Sequence, residues 1–498
     1  MRFDNPIIRG FNPDPSICRV GGDFYLVTST FEFFPGIPVY HSRDLVNWTQ
    51  IGNAIDRPGQ LPLHEATVNG GIWAPTIRHR NGRFYITAKE RTFGNFIISA
   101  EDPAGPWTDP VPVAMTGIDP SILFDGGTAY YCTNQRGADN REAISMAEID
   151  PDAGTLLSVP AVIWHGVSAD RPQYLESPHI YRIGDWYYLI GAEGGTGFAH
   201  MITCARSRSI EGPYEDCPRN PLLTSRYVQG TGVACSGHGD LVDDGRGGWW
   251  CVHLATRPDD EWYSHLGRES FLLPVSWEDE WPVIGTGIGE LSPDAPLWEI
   301  QRPLPAWTAD LTRLQPQWLH VRTPVTAHYQ PTPQGLRLTP TPVPLTADTE
   351  SPTLLAVRQS DIDCSVEILL HFAPIEEGDE AGLTAFISRD GHIRFAIARD
   401  AEGLCLLIAR SGAETPLLRQ PITGSDFHMR LDATHGQYTL HLAAGDGPYR
   451  AIGSVPVLTR ADAGKCFTGT LLGVYAQSAG TTAARATLRS FRITPGIP

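Results

Sequence analysis

The chain has 498 residues, 41% of them hydrophobic and 19% charged, a balance that excludes a disordered protein. That length exceeds what one ordinary core supports, so two or more domains are expected. A net charge of −18 argues against nucleic acid and anionic membrane surfaces as partners, and it is compatible with a neutral substrate.

The N-terminus, MRFDNPIIRGFNPDP, has no basic region followed by an apolar stretch, and no apolar run approaches the roughly 18 residues of a membrane span. A cytoplasmic location with no membrane partner is therefore expected. Nine cysteines are scattered without CxxC spacing, which reads as buried free thiols rather than disulfides or a zinc site. Asn47-Trp48-Thr49 matches a glycosylation sequon and, in that compartment, reads as chance.

The first motif in chain order, Asn12-Pro13-Asp14-Pro15-Ser16-Ile17, recurs with variation. Later versions are Trp73-Ala74-Pro75-Thr76-Ile77, Ile118-Asp119-Pro120-Ser121-Ile122 and Glu176-Ser177-Pro178-His179-Ile180, with a looser His238-Gly239-Asp240-Leu241. The intervals from Pro15 to Pro75, Pro120, Pro178 and Gly239 are 60, 45, 58 and 61 residues. Each copy precedes a Gly- or Asn-containing hairpin signal and an aromatic strand-like run, as in Gly21-Gly22-Asp23 before Phe24-Tyr25-Leu26-Val27. Several units close on an aromatic after a turn: Trp48, Trp107 and Tyr214. Self-similarity at this spacing, with enough chain per unit for four strands, predicts a five-bladed β-propeller over residues 1–300.

Pro293, Pro296, Pro303 and Pro305 mark a boundary, and residues 301–324 read as a linker. Beyond it the opening motif disappears. Alternating segments beginning at Cys364, Gly382, His392 and Gly436 predict a β-sandwich over 325–498, so the whole chain is all-β.

In a propeller the innermost strands start near the central channel, so the five openings should face one axis. Asp14, the Trp73-Ala74 pair, Asp119, Glu176 and His238 then occupy corresponding positions. A lone Asp before Pro caps a turn. Three carboxylates crowded at one axis instead raise one another's pKa and mark a reactive site, and Glu is a poor turn former. Two carboxylates across a sugar-sized cavity suit glycosidic cleavage, one protonated acid serving the leaving oxygen and one ionised base serving water. Phe31 and Trp73 lie near blade openings, as sugar-facing walls or as plain blade packing.

The runs Asn12 to Ile17, Thr28 to Trp48, Gly71 to Ile77, Gly117 to Ser121, Glu176 to Tyr181 and Gly267-Arg268-Glu269 together resemble glycoside hydrolase family 43. The likeness is to its β-xylosidase branch with a C-terminal concanavalin-like sandwich. The resemblance implies an inverting mechanism with Asp14 as general base, Glu176 as general acid and Asp119 tuning and orienting the acid. It implies sugar contacts for Arg268, Phe31, Trp73 and Ala74; for Arg268 a surface ion pair with Glu269 is the alternative. It also implies that Phe467, in the run Cys466 to Gly473, closes the pocket from the sandwich, against a strand-core role for the same residue. His238 matches a histidine near the axis where several relatives hold hydrated calcium. The sequence supplies no hard-oxygen ligand set for calcium, and a hydrogen-bonding structural histidine is the alternative.

The expected activity is release of xylose from the non-reducing end of short β-1,4-xylo-oligosaccharides, with side activity on α-L-arabinofuranosides. The rivals are an α-L-arabinofuranosidase on the same fold and a non-catalytic sugar-binding propeller. No cofactor is required by this chemistry, and a homo-oligomer is left open.

Overall fold

The computed structural model describes residues 1–138, 140–168, 173–228, 230–259, 263–443, 445, 447–464 and 467–496. The propeller is present as five antiparallel sheets. The first is Ser16–Val20, Asp23–Val27, Gly36–Ser42 and Thr49–Ile55, and the second is Ile72–Arg80, Arg83–Glu90, Gly94–Ala100 and Val111–Pro112. The third builds on Ser121–Asp125, Thr128–Arg136, Glu142–Asp150 and Thr155–Leu156, the fourth on Glu176–Ile183, Trp186–Glu193, Met201–Ser207 and Glu215–Asp216. Ala234–Asp243, Trp249–Thr256, Glu269–Glu278 and Trp281–Ile284 make the fifth. The two-residue turns between first and second strands fall at the expected glycines, with Gly21 and Gly82 in the left-handed region that such hairpins need.

Burial explains why the blades form a ring. Five apolar clusters of the propeller lie between neighbouring blades. Val39 packs with Ile77 and Phe84 between the first and second, Ile97 with Tyr131 between the second and third. Ile144 packs with Leu189 between the third and fourth, Ile190 with Leu273 between the fourth and fifth. The fifth cluster joins Leu26 of the first blade to Trp250 and Leu272 of the fifth, so closure of the ring buries apolar surface that an open array would expose. The N-terminal segment adds a clasp, because Asn5 Nδ2 donates to the Leu272 carbonyl at 2.8 Å and Asn5 Oδ1 accepts from the Leu272 N–H at 2.9 Å.

The channel behind the blade openings is filled by a charge cluster drawn from four blades. Fully buried Asp240 accepts from Arg78 Nη1 at 2.8 Å, Ser16 Oγ at 2.7 Å and Tyr181 Oη at 2.6 Å. Arg78 Nη2 is 3.1 Å from His179 Nδ1.

The second domain is a sandwich of an eight-stranded and a six-stranded sheet. Its core interleaves residues such as Ile368, Leu370 and Phe491 of one sheet with Leu383, Phe395 and Val474 of the other. Residues 301–324, expected as a linker, are held by both domains. Trp307–Thr308 pairs with the last sandwich strand, while His320–Val321 pairs with Phe33–Phe34 of the propeller. Between the domains Phe11, Phe31 and Phe33 pack with Leu354, Phe386 and Tyr475. An ion network runs in parallel: Asp361 of the sandwich meets Arg9 at 2.5 Å and Arg257 at 3.2 Å. Among the described residues no helix is long and apolar enough to cross a membrane, and the eight described cysteines are buried free thiols. Cys466 lies outside the described residues.

Removing one partner of a buried ion pair leaves the other charge uncompensated, at a cost of about 3–5 kcal/mol. Asp240→Ala is therefore expected to lower the urea midpoint of propeller unfolding, followed by tryptophan fluorescence. Asp240→Ala combined with Arg78→Met should recover part of the loss.

Candidate active site

The five blade openings share a backbone feature that the sequence only hints at. Asp14, Ala74, Asp119, Ser177 and His238 all have positive φ, between 34° and 54°. For residues other than glycine this region is sparsely populated, and Asp14, Ala74, Asp119 and Ser177 also precede prolines, which disfavour the right-handed helical alternative. In the second, fourth and fifth blades the same point interrupts the strand register. These turns deliver Asp14, Asp119 and His238 to one cavity of about 630 Å³, within the range of small-ligand sites.

Glu176 also lines that cavity, but its position in the repeat differs from the expectation. The equivalent of Asp14 and Asp119 is Ser177, and Glu176 stands one residue earlier, like Trp73 and Ile118. The site therefore has two tiers. Asp14, Asp119 and His238 come from the left-handed residues, and Trp73, Ile118 and Glu176 from the residues before them.

The three carboxylates are held in different electrostatic states. Burial resists ionisation of Asp14, but the Arg268 guanidinium, His238 and the Ser29 hydroxyl outweigh it and hold the carboxyl below the usual aspartate range. Arg268 Nη1 donates to Asp14 Oδ1 at 2.8 Å, and Ser29 Oγ donates to Asp14 Oδ2 at 2.6 Å. Burial pushes Asp119 up to about 6, with the Asp14 charge adding to the rise, while His238 and the Ser177 N–H (3.2 Å) pull the other way. Burial, then the charges of Asp119 and Asp14, push Glu176 well above the glutamate range. One buried carboxylate is thus ionised while a neighbour retains its proton, a separation that suits paired base and acid chemistry.

Arg268 does not form the surface ion pair with Glu269. It turns into the cavity, where Nη1 also donates to Thr196 Oγ1 at 3.1 Å, while Glu269 points away and is bound by Arg257 at 2.7 Å. The Arg268 guanidinium lies 5.6 Å from the Phe31 ring centroid and 5.4 Å from that of Phe467. Phe31, Trp73 and Phe467 all line the cavity, so the sandwich does contribute a wall, with Gly464 and Thr468 beside it.

Ala74 is a correction. It does not line the cavity and is only 4% exposed; its N–H donates to Ser29 Oγ at 2.7 Å, so it supports Asp14 from behind. His238 Nδ1 stands 3.8 Å from both Asp14 Oδ1 and Asp119 Oδ2. Among the described residues no group of three or more His, Cys, Asp or Glu could hold a metal ion, so the side chains at His238 do not fit a cation held by protein ligands. Sequence reasoning missed Thr196 and His200. His200 Nδ1 donates to the Cys235 carbonyl at 2.9 Å and burial pushes its pKa down to about 3, so the ring is neutral, with Nε2 an acceptor. The run Gly194-Gly195-Thr196-Gly197 was the available signal for the former; His200 carried none.

Residues 3–282 match the family model described as Glycosyl hydrolases family 43, and residues 310–494 match the Beta xylosidase C-terminal Concanavalin A-like domain. The chain belongs to glycosyl hydrolases family 43. It is 37% identical to the non-reducing end alpha-L-arabinofuranosidase BoGH43B of Bacteroides ovatus, over 96% of this chain and 92% of the relative. It is 36% identical to a xylosidase/arabinosidase of Butyrivibrio fibrisolvens, over 96% of both. Among solved structures it resembles the xylan beta-1,4-xylosidase from Bacillus halodurans C-125, with a TM-score of 0.89, 31% identity and coverage of 99% of this chain and 100% of that one. The chain is a glycoside hydrolase with a propeller and a concanavalin-like sandwich.

A carboxyl whose pKa is raised by folding weakens the fold as pH climbs past its unfolded value. Asp119→Asn is therefore expected to raise the melting temperature at pH 7. The gain should be full above about pH 6 and shrink as pH falls toward the ordinary aspartate value of 3.8, which paired thermal melts across pH would show.

Proposed function

We propose that this protein is an inverting exo-glycosidase that releases xylose from the non-reducing end of short β-1,4-xylo-oligosaccharides, with α-L-arabinofuranosidase activity as a side reaction. The observation that carries the reading is the pairing of an ionised Asp14, held by Arg268, with a protonated Glu176 in one cavity. Asp14 takes a proton from water as the water oxygen bonds to the anomeric carbon. Glu176 gives its proton to the departing glycosidic oxygen as that bond breaks. Asp119 raises and orients the acid through its own charge, named among the causes of the Glu176 shift.

Arg268 would hold sugar hydroxyls while keeping Asp14 charged, and Phe31, Trp73 and Phe467 would offer flat apolar faces to the terminal ring. Neither step requires a cofactor, and His238 serves the site through its proximity to the two aspartates. The eight buried free thiols suit a reducing cytoplasm, where imported oligosaccharides would be the substrate. The subunit state is left open.

The similarity to a non-reducing end alpha-L-arabinofuranosidase favours a second reading, in which the arabinofuranoside is the main substrate. Terminal xylopyranose and arabinofuranose can present similar hydroxyls to one pocket. Measuring kcat/KM on 4-nitrophenyl β-D-xylopyranoside and 4-nitrophenyl α-L-arabinofuranoside decides between them. The first reading predicts the higher value on the xyloside. A clear preference for the arabinofuranoside would replace it with the second, and hydrolysis of neither would leave a sugar-binding propeller.

A further inference from the structure

Asn69 lies outside the cavity and carries no acid, base or sugar-facing group, yet two walls of the cavity are tied to it. Its backbone carbonyl accepts from Trp73 Nε1 at 2.9 Å, and its side-chain Oδ1 accepts from the Phe467 N–H at 2.7 Å. Its own N–H donates to Oε2 of the buried Glu32 at 3.1 Å, which fixes the residue from below. Its φ of 62° is the left-handed conformation that asparagine adopts more readily than other side chains.

The residue held by this arrangement needs holding. Phe467 belongs to the sandwich but reaches the propeller's cavity, and it remains 37% exposed. Its ring leans on Phe31 with centroids 5.9 Å apart. Its main chain is pinned on both sides by the propeller: the N–H by Asn69 and the carbonyl by Arg268 Nε at 3.3 Å. Just beyond it Gly469 and Gly267 approach so closely that a Cβ on Gly267 would stand 2.9 Å from the Gly469 Cα.

We propose that Asn69 is a positioning residue that latches the sandwich loop over the cavity, joining Phe467 to Trp73 so that two walls from different domains move as one. The inference rests on the pentosidase reading for its kinetic consequence, and its structural half stands without it. A latch that shapes the pocket before the substrate arrives supports binding in the ground state and transition state alike, so its loss appears in KM more than in kcat.

The left-handed backbone allows a direct test. Asn69→Gly keeps the N–H to Glu32 and the carbonyl to Trp73, and removes the side chain with its acceptor for Phe467; Asn69→Asp restores that acceptor. Amide hydrogen exchange of the peptide containing Phe467, together with kinetics on the better of the two aryl pentosides, reads both halves. Asn69→Gly is expected to speed exchange at Phe467 and raise KM about five- to tenfold, with kcat within about twofold, the scale of one hydrogen bond. Asn69→Asp should return both toward the parent values. Unchanged exchange in Asn69→Gly, or an Asn69→Asp variant no better than the glycine one, overturns the latch. Faster exchange with unchanged KM overturns its role in the pocket. A parent enzyme that cleaves neither pentoside overturns the functional reading instead, while the exchange result still decides the latch.

Discussion

Each of the five blade openings passes through a left-handed backbone conformation at a residue other than glycine. Such a conformation costs on the order of 1–2 kcal/mol per residue and survives only where the surroundings over-determine it. Here the surroundings are the apolar clusters between all neighbouring blades, the asparagine clasp that closes the ring, and the Asp240 cluster that fills the channel. The strain is what places an aspartate, not a strand-facing apolar side chain, at the mouth of the first and third blades. Stability spread over the whole ring is thus concentrated into side-chain placement at one point.

The second consequence of the ring is that it puts carboxylates close enough to differ. Asp14 and Asp119 are buried and Glu176 is partly so, and loss of water raises every one of them. Only Asp14 has an arginine and a hydroxyl bonded to it, and only Asp14 is pulled below its ordinary range. Its negative charge then adds to the rise of the other two. Arg268 is free for this task because its neighbour Glu269 is satisfied by Arg257, inside the ion network that reaches the sandwich through Asp361. Two consecutive charged residues therefore serve different ends, one facing the cavity and one facing the domain interface.

The repeat was legible because proline and glycine punctuate it, and five openings at recurring spacing leave few other architectures. The carboxylates followed from the same alignment. What a linear alignment could not resolve was the offset of a single residue. Trp73 and Ala74 look interchangeable in sequence, but one lines the cavity and the other supports Ser29 from behind. Glu176 looks like the counterpart of Asp119, but Ser177 holds that backbone position. The channel cluster around Asp240 was invisible because Ser16, Arg78 and the His179 and Tyr181 pair come from three other blades and form no shared local pattern. Within residues 301–324 the proline-rich composition marks a boundary, but it does not say which sheets recruit the strands at Trp307 and His320.

The account stands or falls on Glu176 giving a proton to the leaving oxygen while Asp14 serves water. The most direct measurement is kcat/KM of Glu176→Ala on two xylosides, one with a 2,4-dinitrophenyl group that departs unaided and one, xylobiose, that needs protonation. The account predicts a loss on xylobiose of about 100-fold or more, the scale of general acid catalysis, with a far smaller loss on the activated aryl glycoside. An equal fall on both substrates would contradict it, and Glu176 would no longer be the acid.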